Sequence, residues 1–386
     1  MEIRIIYLCA IIFGLGFLIT LATVPLSIKL ARRINAIDIP KDERRVHKRP
    51  VPRIGGVGIY LGVTISLIIC TGLGIFNGEN VSRIFGIAKL TWNVDWIIKG
   101  SFNPTLGVVL GGTVIFVAGL IDDVKQLSPR IKLLGQITAA TIVFFTGVRV
   151  EFVLKFFPND TALIAQIACY LATVLWIVAI TNTINLIDGL DGLAAGISAI
   201  ASLAIAYVAY IFGYYMGVFP MIAVAAGALG FLPYNFYPAK TFMGDCGSQY
   251  LGFIMACFSV LGSVKGATVI AVLIPSIALL LPILDTILAI LRRALNGKPI
   301  MEADKGHLHH RLLRSGMGQR RTVICMYGVC GIMSTAAVLL SRGLKVETTG
   351  LLGIAILYIY VVLTDPNKKA PEIKKKKKKQ FLAGIL

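Results

Sequence analysis

Apolar runs of about 20 residues recur along almost the whole chain, and they decide the class of structure before any motif is read. A helical run of that length spans the roughly 30 Å hydrocarbon layer of a bilayer. Inside lipid every backbone N–H and C=O must be paired within the protein, which leaves helices or a closed barrel. Barrel strands would be shorter and would alternate, and these runs do not. The 386 residues are 56% hydrophobic and only 15% charged, with a mean hydropathy of +0.81. The reading is an all-α polytopic membrane protein of about eleven transmembrane helices. They are placed at 5–30, 54–77, 105–121, 133–149, 161–181, 194–213, 217–234, 249–264, 267–291, 322–341 and 349–364. The turns near Gly213 to Gly217 and Gly262 to Gly266 nearly fuse their neighbours. The first run lacks a small-residue cleavage site and is read as a span. The seven Cys lie mostly inside apolar runs with no CxxC pair, which suits small buried residues better than a disulfide or zinc framework.

Lysine and arginine orient the chain. With the N-terminus outside and the C-terminus cytoplasmic, 29 of the 38 basic residues fall on the inner side, as the positive-inside rule requires. The formal charge of +19 therefore marks the cytoplasmic face. No soluble basic domain or nucleic-acid motif is visible, so nucleic acid is not an expected partner. Residues 1–365 read as a single integral membrane domain, and 366–386 as a lysine-rich cytoplasmic tail. The tail run "KKAPEIKKKKKKQ" is either a solvated charge run or a contact with anionic lipid. The stretch 78–104 reads as an outside loop with two Trp suited to the interface.

Five polar clusters interrupt the apolar pattern: "RRVHKRPVPRIGG", "GLIDDVKQLSPRIK", "NTINLIDGLDGL", "YPAKTFMGDCGSQ" and "DKGHLHHRLLRSG". All five fall on the cytoplasmic side, because they sit at alternating ends of successive spans. That coincidence argues for one composite site at the inner membrane surface. Asp122 and Asp123 are adjacent at a helix end, where a bare pair in hydrocarbon would cost several kcal/mol without a cation or water. Asn182, Asn185, Asp188 and Asp191 are spaced by three, so a helix would keep them on roughly one face. The Gly after each Asp, Gly189 and Gly192, suits a break instead. Asp245 lies between glycines in "MGDCG". Any one of these could be a helix cap; the set at one face suits Mg²⁺ or Mn²⁺, which take hard oxygen ligands. Lys125, Arg130 and Lys132 follow the Asp pair, and Lys48 and Arg53 belong to a basic first loop. Carboxylates, metal and cations are what phosphoryl transfer needs. The histidines of "GHLHHRLL" suit either zinc or a sugar-phosphate; HExxH spacing is absent and no Cys lies nearby.

The motifs "GLIDDVKQL", "NTINLIDGLDGLAAG", "FLPYNFYPAKTFMGDCGS" and "GHLHHRLL", in that order, resemble the polyprenyl-phosphate N-acetylhexosamine-1-phosphate transferases over roughly residues 1–365. The HLHHRLL form is similar to the branch that uses UDP-N-acetylglucosamine and initiates teichoic acid or O-antigen type polymers. The element "RPVPRIGG" departs from the threonine-rich form of the muramoyl-pentapeptide branch. The resemblance implies that undecaprenyl phosphate attacks UDP-GlcNAc to give undecaprenyl-diphospho-GlcNAc and UMP, at a bacterial plasma membrane. It implies Asn185 and Asp245 as Mg²⁺ ligands. Asp122 would face the lipid phosphate, Asp123 would sit near the metal, Asp188 would be a further catalytic carboxylate, and His307 would be catalytic in contact with the sugar-phosphate. Lys132 would contact the diphosphate. Phe242 would stack on uracil, with Asn182, Asp191, Gly192 and Leu193 lining the nucleotide pocket. His309, His310 and Arg311 would contact the sugar-phosphate, and Lys48 is a looser substrate contact. A homodimer is compatible with the sequence, which does not specify one.

The resemblance leaves two mechanisms: direct attack by the lipid phosphate, which is preferred, or an aspartate nucleophile with a covalent intermediate. The second pKa of a phosphate monoester is near 6, so much of it is already dianionic near neutral pH and Asp122 is better suited to orienting than to deprotonating. The rival classes are a phospho-N-acetylmuramoyl-pentapeptide transferase, a membrane prenyltransferase and a lipid transporter. A transporter would place ionisable groups near the midplane, and here only Asp285 lies inside a run.

Overall fold

The computed structural model describes residues 2–40, 49–72, 104–158, 161–261, 276–295 and 308–364. Twelve α-helices carry these residues. They are α1 Glu2–Arg33, α2 Gly56–Gly72, α3 Pro104–Lys125, α4 Pro129–Phe145, α5 Ala162–Ile187 and α6 Leu193–Ile211, followed by α7 Tyr215–Asn235, α8 Gly244–Leu261, α9 Leu280–Leu295, α10 Leu308–Arg314, α11 Gln319–Ser341 and α12 Lys345–Thr364. Among the described residues, six helices are long and apolar enough to cross a membrane. The chain is a mostly helical multi-pass membrane protein.

One departure from an all-helical chain is a two-residue antiparallel pair. Strand β1, Ile37–Asp38, pairs with β2, Val51–Pro52, so that Ile37 faces Pro52 and Asp38 faces Val51. It closes the neck of the first basic loop. Arg53 N–H donates to the Ala36 carbonyl on the same clip.

Helix α8 is the axis of the bundle. It packs against α3, α5, α7 and α2, and every residue from Cys246 to Leu261 is buried. Small residues let the backbones close in, as membrane bundles require when lipid competes equally for apolar side chains. A Cβ added to Gly119 of α3 would stand 2.6 Å from the Cys246 backbone. Helix α5 is different. Leu163, Ile164, Ile167, Leu171 and Leu175 are exposed along its outer side, while Cys169, Thr173, Ile177 and Ile184 are buried against its neighbours.

Several expected boundaries shift: α3 runs on to Lys125, α4 occupies Pro129–Phe145 in place of 133–149, and two further changes bear on the site. The span expected to stop at 181 continues through Asn182 and Asn185 to Ile187, and the chain breaks at Asp188 with ψ 42°. The carboxamides therefore ride on helix, while Asp188 and Asp191 lie in the turn. The Asn182 side chain turns back to the Val178 carbonyl, 2.8 Å away, so it is not spent capping the N–H groups of a new element and the helix runs on past it. The span expected at 249–264 begins at Gly244, which puts Asp245 in its first turn.

Candidate active site

The site forms where the ends of α3, α4, α5 and α8 meet. Asp122 and Asp123 end α3, and both are 3% exposed. Asp123 faces the start of α8 and accepts the backbone N–H of Asp245 at 2.9 Å and of Cys246 at 3.1 Å. A carboxylate from one helix thus caps another. First-turn N–H groups have no partner inside their own helix, and the positive end of the helix dipole favours a negative charge there. Arg53 lies 3.9 Å from the same carboxylate. Gly244 makes this docking possible. Its φ is +71°, and a Cβ on it would collide with the Arg53 carbonyl and the Asp123 carboxylate.

Asp122 turns the other way. Its Oδ1 accepts the Leu127 N–H at 2.6 Å, which folds the α3–α4 turn over it, and its Oδ2 lies 2.7 Å from the Lys132 ammonium. Lys132, on the first turns of α4, reaches on to Asp245 Oδ2 at 2.8 Å. Asp245 also accepts from Asn185 Nδ2 at 3.2 Å on Oδ1 and from Gln249 Nε2 at 3.0 Å on Oδ2. The second N–H of Asn185 goes to Ser248 Oγ at 2.9 Å. Both donor hydrogens of Asn185 are thereby committed. Ligand oxygens of Asp122, Asp123 and Asp245 lie within 4.8 Å of one another.

The turn after α5 makes the other wall. Asp191 Oδ2 accepts the Ala239 N–H at 2.9 Å. Gly192, at φ +82°, opens α6, and its N–H donates to Asn235 Oδ1 at 2.9 Å. Asn235, 1% exposed, passes its own N–H to the Thr241 carbonyl at 3.0 Å. Tyr327 of α11 donates its hydroxyl to the Gly192 carbonyl. Leu193 is buried behind this turn, while Phe242 is half-buried with its N–H on the Pro52 carbonyl at 2.8 Å. Asp188 donates its backbone N–H to the Asn185 carbonyl at 3.2 Å, and its carboxylate accepts no hydrogen bond among the described residues. Its removal from water, then the charges of Asp245, Asp123 and Asp191, push its carboxyl well above its ordinary 3.8.

Residues 105–263 match glycosyl transferase family 4. A probable undecaprenyl-phosphate N-acetylglucosaminyl 1-phosphate transferase of Bacillus subtilis is 36% identical over 351 residues, covering 90% of this chain and 88% of that protein. The chain belongs to glycosyl transferase family 4. A decaprenyl-phosphate N-acetylglucosaminephosphotransferase of Mycolicibacterium smegmatis is 34% identical over 366 residues, 87% of this chain and 83% of that one. A phospho-N-acetylmuramoyl-pentapeptide-transferase of Staphylococcus carnosus is 31% identical over 349 residues, 85% of this chain and 97% of that one. The matched segment of the family 4 chain contains the whole carboxylate cluster and the turn.

The donor chemistry of this cluster fits the divalent cation implied by the family resemblance. Three carboxylates face one ammonium and one guanidinium that stands 3.9 Å off, so negative charge is left uncompensated. Oxygen ligands of this kind suit Mg²⁺ or Mn²⁺.

Four of the five polar clusters supply residues to this site. Lys48 and His307 lie outside the described residues, as do the side chains of His309 and His310, the loop up to residue 103 and the tail 366–386. Arg311 is exposed on α10, and no described contact joins it to the carboxylates. Asn182 shares the site but is saturated: it exchanges hydrogen bonds with Gln136 in both directions, at 2.7 and 3.3 Å.

The sequence assigns no role to several residues of the site. Gln136 and Gln249 are 2% and 3% exposed and look, in sequence, like ordinary polar residues flanking a motif. Asn235 is a carboxamide in the last turn of an apolar run, which is the signal that marks it. Asp285, on α9, accepts the Leu308 N–H at 2.7 Å, so a carboxylate inside an apolar run holds the first residue of the helix that bears His309 and His310. A buried carboxylate is costly in such a setting and is kept where it has a partner.

Proposed function

We propose that this chain transfers N-acetylglucosamine 1-phosphate from UDP-GlcNAc to undecaprenyl phosphate, releasing UMP. The observation that carries the reading is the convergence of Asp122, Lys132 and Asp245 at 2.7 and 2.8 Å, at the ends of apolar helices. A donor diphosphate needs a cationic and metal-bearing cradle, and a lipid phosphate needs that cradle at the membrane edge. The named relatives, at 36% and 34% identity over most of their length, support this chemistry.

Asp245, the carbonyl oxygen of Asn185 and Asp122 are the residues that would hold Mg²⁺. The metal would neutralise charge developing on the transferred phosphoryl group. Lys132 binds the diphosphate once substrate competes with the two carboxylates for its ammonium. Asp123 holds the start of α8 and with it the position of Asp245. Asp122, pinned by Leu127, orients the incoming lipid phosphate. Asp191, Gly192, Leu193 and Phe242 line the nucleoside side, and the helix bearing His309, His310 and Arg311 covers the sugar-phosphate. The lipid phosphate attacks directly, with UMP as leaving group. The full reading includes about eleven spans, an outside N-terminus, and a site opening on the cytoplasmic face of a bacterial plasma membrane.

The test is UMP release by purified protein in detergent with undecaprenyl phosphate, Mg²⁺ and either UDP-GlcNAc or UDP-MurNAc-pentapeptide. UMP from UDP-GlcNAc alone supports the reading. UMP from the muramoyl donor alone keeps the family and overturns the donor.

A further inference from the structure

We propose that Gln249, Gln136 and Asn182 form a positioning relay that fixes the Asp245 carboxylate for its ligand. The proposal rests on the reading of Asp245 as the residue that holds the cation and, with it, the diphosphate.

The relay begins at a backbone carbonyl and ends at a carboxylate. Asn182 Nδ2 donates to the Val178 carbonyl at 2.8 Å and to Gln136 Oε1 at 2.7 Å. Gln136 Nε2 donates to Gln249 Oε1 at 3.0 Å and back to Asn182 Oδ1 at 3.3 Å. Gln249 Nε2 then donates to Asp245 Oδ2 at 3.0 Å. An amide group has a donor end and an acceptor end, and each end here is matched. The Val178 carbonyl can only accept, so it sets the orientation of Asn182. That orientation sets Gln136, and Gln136 sets Gln249. Turning any one amide over would face donor to donor or acceptor to acceptor in a buried space, where an unmatched polar group costs about 1–3 kcal/mol. The chain of three amides therefore delivers an N–H to Asp245 and no alternative.

The direction matters for chemistry. Asp245 Oδ2 is shared between Gln249 and Lys132, and the lysine is the group that substrate or cation displaces. Gln249 is the donor that stays. It holds the carboxylate plane when the ammonium leaves, and Asn185 holds the other oxygen. Groups that orient a metal-binding carboxylate in this way typically change affinity or activity by about 10–100-fold when removed. None of the three amides has to touch the reacting atoms, so they are positioning residues.

The experiment uses the full chain in lipid nanodiscs, with Mn²⁺ binding read by electron paramagnetic resonance alongside kcat and KM for UDP-GlcNAc. The variants are Gln249→Met, Gln136→Met, the double variant and Asp245→Ala. Gln249→Met is expected to weaken Mn²⁺ about tenfold, with KM for the donor, measured at saturating Mn²⁺, changed far less. Gln136→Met shifts Mn²⁺ in the same direction, and the double variant matches Gln249→Met alone, because a relay cut once has nothing further to lose. Unchanged Mn²⁺ affinity in both single variants overturns the relay, as does an effect in the double variant equal to the product of the singles. Gln136→Met lies a full side chain away from Asp245 and serves if Gln249→Met does not fold. Asp245→Ala separates the two readings: if it binds Mn²⁺ as the parent does, the assignment of Asp245 is wrong; if it alone loses Mn²⁺, the relay is wrong and the assignment stands.

Discussion

The carboxylates of this site are treated in two ways. Asp122, Asp123 and Asp245 are each held by at least two donors from outside their own helix: Leu127 and Lys132 for the first, the α8 backbone for the second, and Lys132 and Asn185 for the third, which Gln249 of α8 itself also holds. Asp188, in the turn after α5, accepts no hydrogen bond among the described residues, and the nearby Asp191 is tied through Ala239. Held carboxylates have their geometry set before ligand arrives, so binding spends little on ordering them. An unheld one is left to respond to whatever charge enters. One site thus combines a rigid cradle with a responsive wall.

The sharpest way to break this contrast is Asp245→Ala, which removes the convergence point of the cradle. UMP release is expected to fall on the order of 10³-fold, with the elution profile in detergent unchanged. Gly244→Ala comes next. It forces a side chain onto a left-handed backbone and into Arg53 and Asp123, and a loss of about 1–3 kcal/mol in stability is expected from thermal unfolding in detergent. Asp285→Ala leaves the Leu308 N–H without its acceptor. A cost of about 1–3 kcal/mol follows if the group stays buried, read as faster amide exchange confined to residues 308–314, while Asp285→Asn keeps an acceptor and restores protection.

Asp188→Asn is the counterpart to Asp245→Ala in the wall, with an expected loss of about tenfold in activity, since it removes one charge without dismantling a network. The smallest effect is in protons. The Asp188 carboxyl is raised above its unfolded value, so its contribution to stability is complete below the unfolded pKa and is lost as pH rises through the folded pKa. A divalent cation beside it favours the ionised form. Mg²⁺ should therefore bind more tightly as pH rises and release a fraction of a proton per ion, measured by calorimetry in two buffers of different ionisation enthalpy. In Asp188→Asn that release should shrink.

Much of the site was legible because its chemistry is rare in this setting. Carboxylates and carboxamides at the ends of apolar runs stand out against a chain that is 15% charged. Their parity along the apolar runs groups them at one expected face. The roles of Gln136 and Gln249 were not legible, although Gln249 ends the fourth polar cluster. The two residues follow the motif residues by one helical turn, and nothing in the sequence says that a turn from α4, a turn from α5 and a turn from α8 meet. Asp285 was visible as an anomaly, but its partner was not, because Leu308 is 23 residues away and contributes only a backbone N–H. Helices α5 and α8 make the same point about packing. Both read as greasy spans, yet α8 is buried almost throughout and α5 exposes an entire side. Lipid and a protein interior are equally apolar, so hydropathy cannot separate them.

The sequence by itself determined the class of the chain, a helical membrane protein, because unpaired backbone cannot cross lipid and only runs of this length can. It also determined which residue types could do phosphoryl chemistry. Only the tertiary structure decided that Asp123 caps α8, that Lys132 bridges Asp122 to Asp245, and that three amides aim one N–H at Asp245. Those choices depend on distances of about 3 Å between helices far apart in the chain, and hydrogen bonds are directional while apolar burial is not.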